Sequence, residues 1–138
     1  MHSLPGFIAG SLLALVSLTL PASVQGQTTT AAAWQTSPAS LLKSTLRSVG
    51  AAQARYHVPN RTYAPSAGVL ELRSETGVRI EILAASATGW QAKATYQTQP
   101  GRSCVMFVGS LEGVEAPRTD EDHEMAGEEG VPLCDRMR

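Results

Sequence analysis

Cys104 and Cys134, the alternating carboxylates Asp120, Asp122 and Glu124, and the histidines His57 and His123 are the residues of this 138-residue chain that invite a chemical reading. The two cysteines are the only ones present, with no histidine beside them and no second CxxC pair, so they lack a zinc ligand set. In an oxidising compartment they pair, and closing a loop of that length stabilises a fold by about 3–4 kcal/mol in the chain-entropy model. The alternative is two free thiols. Asp120, Asp122 and Glu124 match the first ligand spacing of a calcium loop. The match ends there, because Met125 and Val131 stand where such a loop needs a turn glycine and a bidentate glutamate. His57 falls where a helix is expected to end, and an imidazolium there is favoured by the helix dipole. His123 sits in an acidic run with nothing to position it. No GxSxG, HExxH or phosphate-cradling glycine loop occurs. The expectation is no catalytic residue, no metal site and no cofactor.

What remains is the question of which elements carry these residues. The opening MHSLPGFIAGSLLALVSLTLPASVQG has an apolar run too short for a comfortable membrane span of about 20 residues, but suited to a signal-peptide core. Residues 1–26 are therefore expected to be a signal peptide, with cleavage near Gly26 and no stable membrane anchor afterwards. Residues 27–36, QTTTAAAWQT, read as a flexible N-terminal arm. Its Trp34 is a possible partner contact, with this domain or with another protein.

From Ser37 the periodicity becomes helical. Ser37 is a ready N-cap and Pro38 fits the first helical position. Leu42, Leu46, Val49, Gln53 and Tyr56 form one stripe, flanked by Leu41, Thr45 and Ala52, while Lys43, Arg47 and Arg55 fall outside it. Pro59 predicts an end near His57, and PNRTYAPSAG a loop from which Tyr63 tucks back under the helix. The sequon Asn60-Arg61-Thr62 is expected to cap the turn. The period then becomes two: Val78, Ile80 and Ile82 share a face, and Trp90, Ala92, Ala94 and Tyr96 share another. AASATG and QPGRS are turns, and CVMFVGS is a more continuously apolar strand expected near the middle of a sheet. The fold class is therefore α+β, one amphipathic helix packed on a three- or four-stranded antiparallel sheet, spanning residues 37–135 with a tail at 136–138.

Charge is divided along the chain. Bases outnumber acids by five through Ser110, and acids outnumber bases by six after it. The bases lack the aromatic interleaving of a nucleic-acid surface, so nucleic acid is not an expected partner. Residues 111–130 read as a solvated acidic loop with too little apolar surface to order itself. VPLCD is the return point that carries Cys134.

The pattern resembles the C-terminal part of type IV pilins and pseudopilins. LRSVGAAQARYHVPNRTYAPS is similar to the end of the pilin helix and its following turn. GVRIEILAASATGWQAKATYQTQPGRSCVMFVG is similar to the family's three strands and two turns, and EGVPLCD to the segment supplying the second cysteine. By this resemblance Cys104 and Cys134 occupy the place of the family's loop-closing disulfide. The stalk departs from the family: Gly6-Phe7 resembles its leader-peptidase site, but no Lys or Arg precedes it, Ser11 replaces the family's glutamate, and Pro21 and Pro38 interrupt any long helix. The resemblance implies an exported pilin-like head without a normal stalk. Such a chain is non-enzymatic, and its partners are other pilin-like subunits or secretion-apparatus proteins. The alternative expectation is an exported ligand-binding module unrelated to filaments.

Overall fold

Ser37 starts the first element: its side chain accepts a hydrogen bond from the Ser40 N–H at 3.2 Å, and Pro38 follows at the helix N-terminus. The computed structural model describes residues 36–73 and 75–137. The expected signal segment, Trp34 and all of the expected arm except Thr36 lie outside these residues. Helix α1 spans Pro38–Asn60, and its buried residues are Leu42, Thr45, Leu46, Val49, Ala52 and Gln53.

The helix end corrects the expectation drawn from Pro59. The helix runs through Pro59 to Asn60, one turn beyond a stop at His57. Proline disfavours helical geometry before it but does not forbid it, and its missing N–H falls in an exposed last turn. Two caps define the end instead. Arg61 adopts a left-handed conformation (φ 57°) and its N–H donates to the His57 carbonyl at 2.7 Å. The Asn60 amide donates to the Tyr56 carbonyl at 2.7 Å, so the sequon does cap the turn.

Gln53 is fully buried within the apolar stripe. Its amide donates to the Ala64 carbonyl at 3.0 Å and accepts from the Ala64 N–H at 2.7 Å. One side chain thereby satisfies both backbone groups of a buried residue and ties the loop after α1 back to the helix. Tyr63 packs against the core and stacks on His57 with ring centroids 4.3 Å apart. A 3-10 turn at Ala67–Val69 leads to Leu70 and Leu72, which also join the core.

Strands β1 (Val78–Ala85), β2 (Gly89–Tyr96), β3 (Ser103–Gly109) and β4 (Leu133–Cys134) form one antiparallel sheet in that order. The predicted faces hold. Trp90, Ala92, Ala94, Cys104 and Met106 pack with the helix stripe in one core, and Val78, Ile80 and Ile82 border it. Gly50 lets the helix sit close, because a Cβ there would lie 3.2 Å from Met106 Cε and 3.7 Å from Trp90 Cζ2. At the end of β3, Gly109 (φ +72°) passes so near Thr88 that its carbonyl oxygen would lie 2.1 Å from an added Cβ.

Residues 111–130 form a largely exposed loop, as expected, but not an unordered one. Alternation along β2 and β3 puts Gln91, Lys93, Ser103 and Val105 on the face away from α1. The acidic segment lies over that face: Thr119 and Ala126 are buried within it, Val105 is buried, and Arg118 and Met125 form an isolated bridge. Among the described residues, helix, sheet and acidic cover form three layers. Polar bonds to the sheet, rather than apolar burial, order the cover, and composition does not reveal such bonds.

Candidate functional site: the anchored acidic cover

Cys104 and Cys134 are joined as a disulfide, as expected, and they are also direct partners in the pairing of β3 with β4. The bond pins the returning chain to the third strand, and it points to an oxidising compartment. Among the described residues, no helix is long and apolar enough to cross a membrane.

The residue after the disulfide does most of the ordering. Asp135 is only 2% exposed. Its Oδ2 accepts from the Ser103 N–H at 2.8 Å and the Glu121 N–H at 3.1 Å, and its Oδ1 accepts from the Asp122 N–H at 2.8 Å. Ser103, also fully buried, accepts from the Asp120 N–H through its hydroxyl at 2.9 Å. Three consecutive backbone N–H groups of the acidic run thus point inward at one carboxylate and one hydroxyl. Burial is the largest influence on the Asp135 carboxyl and raises its pKa. The donors from Asp122, Ser103, Thr119 and Glu121 together outweigh it and hold the pKa below the ordinary aspartate value.

Further contacts fasten the rest of the cover. Gln91 donates to the Glu115 carbonyl at 2.6 Å, Lys93 pairs with Asp120 at 3.2 Å, and the Gly109 N–H donates to Glu129 at 2.7 Å. Arg102 makes two hydrogen bonds to Glu121, and that contact is the main cause of its raised pKa. The basic and acidic parts of the chain therefore do attract each other across the disulfide loop, through Lys93 and Arg102.

The residues singled out by calcium spacing have separate uses. Asp120 meets Lys93, Asp122 accepts from the Arg136 N–H at 3.0 Å, and the Glu124 N–H donates to the Thr119 hydroxyl at 3.2 Å. Inward N–H groups are the wrong polarity for a cation, and among the described residues no group of three or more metal-ligating side chains converges. His57 Nε2 lies 2.9 Å from the Ala87 carbonyl, so its ring donates there and ties α1 to the β1–β2 turn. His123 is exposed with φ 54°, and its carbonyl accepts from Arg118 at 3.1 Å. Trp90 is 1% exposed in the core. Sequence reasoning missed Asp135, Ser103 and Thr119, whose only sequence signal was the position of Asp135 beside a cysteine.

An open cleft of about 330 Å³ lies on the other side of the sheet, between α1 and Glu71, Leu72, Arg73 and Glu75. Leu41, Leu72 and Ile80 give it an apolar part, and Arg55, Arg73 and Glu71 a charged part. Thr45 contributes to its wall, and Thr45 Oγ1 is buried with no hydrogen-bond partner among the described residues. No family model, no curated protein and no solved structure matches this chain.

Proposed function

We propose that this chain is an exported, non-enzymatic, pilin-like domain that acts through its surfaces, as an accessory or divergent subunit of a pilus or secretion apparatus or as an adhesion module. The observation that carries this reading is the C-terminal arrangement. A disulfide from β3 to β4 and the Asp135 carboxylate beside it lay a long polar segment flat across one sheet face. Together with a helix packed on an antiparallel sheet, this supports the family resemblance carried by the sequence motifs. Its output is a fixed, charged contact surface, which suits recognition of other proteins rather than bond-making.

The test begins with the native protein from the cell that makes it. The expected N-terminus is at or near Gln27, with an intact mass two hydrogens below that of the reduced chain. In-cell crosslinking is expected to join the acidic cover or α1 to pilin-like or secretion-apparatus subunits. A chain that crosslinks to none of these overturns the reading.

The cleft beside Thr45 favours a second reading, an exported ligand-binding module. It combines apolar and charged walls with a buried hydroxyl lacking a partner. This reading is carried by a ligand that raises the melting temperature of the wild type but not of a variant with Ile80→Lys in the cleft wall.

A further inference from the structure

Strand β1 forms an edge of the sheet, with β2 beside it. The Gln97 N–H donates to the Gly77 carbonyl at 2.9 Å, which fixes the alternation along the strand. Arg79 and Glu81 therefore turn their backbone groups toward β2, and Val78, Ile80 and Ile82 turn theirs outward. The Val78 N–H is engaged by the Glu75 carbonyl at 3.1 Å. Among the described residues, no hydrogen bond reaches the outward groups of Ile80 or Ile82. Further on, the register shifts between Ile82 and Ala84, and the Tyr63 N–H takes the Ser86 carbonyl at 2.9 Å. The open edge is thus the short run 78–82.

The side chains of this run are also incompletely used. Val78, Ile80 and Ile82 point to the helix side and are only half-buried, and an open groove of about 370 Å³ borders Val78 and Ile80. On the other face Arg79 joins no ion pair among the described residues, and Glu81 reaches Lys93 only at 4.0 Å. An edge that offers backbone groups, part-exposed β-branched side chains and one charge of each sign can be matched by a strand of the same kind.

We propose that this edge pairs antiparallel with the same edge of a second copy of the chain, about a two-fold axis beside Ile80. The sequence selects that register. Centring the axis on Arg79 or on Glu81 sets like charges opposite each other, and centring it on Val78 or Ile82 gives neither charge an opposite one. Centring it on Ile80 sets Arg79 of each copy opposite Glu81 of the other, and Val78 opposite Ile82. The Ile80 N–H then donates to the second copy's Ile80 carbonyl, and the Ile82 N–H to its Val78 carbonyl, each bond reciprocated by symmetry. The half-buried side chains cover one another on the helix side. One patch serves both copies, so the contact closes at a dimer, and its short length makes that dimer weak. The proposal goes beyond the reading of function above, since it requires no pilus or secretion subunit.

Sedimentation equilibrium of the disulfide-bonded protein tests it. Up to about 1 mM, the weak end of specific association, a monomer–dimer equilibrium with nothing larger is expected. Arg79→Glu alone and Glu81→Arg alone are each expected to weaken the dimer by about tenfold, because like charges then face each other at both symmetric places. The two variants mixed in equal amounts are expected to form a heterodimer of wild-type strength. Both residues are exposed, and an unchanged circular dichroism spectrum verifies folding. Amide exchange gives a second reading that needs no substitution. The Ile80 and Ile82 amides are expected to exchange more slowly as protein concentration rises, while those of Arg79 and Glu81, bonded to β2, stay slow throughout. A protein that stays monomeric, species larger than the dimer, a dimer that leaves the Ile80 and Ile82 amides unprotected, or a mixture no tighter than its components overturns the proposal. Crosslinks to pilin-like subunits in the cell can be present or absent whichever way this result falls.

Discussion

Asp135 orders the acidic cover by accepting, through two buried oxygens, from the backbone N–H groups of Ser103, Glu121 and Asp122. With its folded pKa held below the ordinary value of 3.8, its contribution is fully present above that value and is lost as pH falls through the lower folded value. Asp135→Asn replaces one acceptor oxygen by an amide NH2 that meets N–H donors head on. A loss of about 3 kcal/mol at neutral pH is expected, from unmet buried donors and the lost charge. Denaturant midpoints measured from neutral pH down to strong acid are expected to show a steep acid decline in the wild type and a flatter one in the variant. Identical acid limbs would remove Asp135 from this role. The cysteine pair was legible from composition and compartment alone. Asp135 and Gln53 were not, because their partners are backbone groups brought close only by the fold: Ser103 lies 32 residues from Asp135, and Ala64 lies 11 from Gln53.

Helix α1 and strands β1 and β2 were legible because each agrees with one period. Helical spacing from Leu42 to Gln53 and alternation in β1 and β2 were enough to place both core faces. A single local rule misleads at the end of α1. Pro59 alone predicts a stop before it, whereas the caps at Asn60 and Arg61 decide the end. Gly50, unremarkable within a helical sequence, sets how near α1 lies to the sheet, with Met106 and Trp90 facing it. Gly50→Val forces Met106 to yield and pushes the helix outward, and is expected to destabilise by about 1–3 kcal/mol. Met106→Ala, which opens a cavity on its own, is expected to absorb part of that crowding. In chemical denaturation the double variant should lose less stability than the two single losses combined, by about 0.5–2 kcal/mol. Strict additivity would mean that the helix does not rest on Met106 at this point.

At the scale of the whole molecule, Cys134 and Asp135 are adjacent, so the return end of the cover carries a covalent and a polar anchor side by side. Composition argued against this layer because it weighed apolar residues and could not count hydrogen bonds whose acceptor lies beyond the segment itself. The two anchors predict an ordered release. The cysteines are 30 residues apart, and replacing both by alanine is expected to cost about 3–4 kcal/mol by freeing the unfolded chain. The cost should fall unevenly, because the helix and β1–β3 keep their shared core while the two-residue β4 loses its covalent link. Arg118, exposed in the cover and bridged to Met125, reports on this directly. Under limiting trypsin the disulfide-bonded chain is expected to resist cleavage at Arg118. The cysteine-free variant should be cut there before Arg47 or Arg55, while amide exchange in β2 remains slow. Simultaneous cutting at all three arginines would mean that cover and core unfold as one unit, with the disulfide supporting both alike.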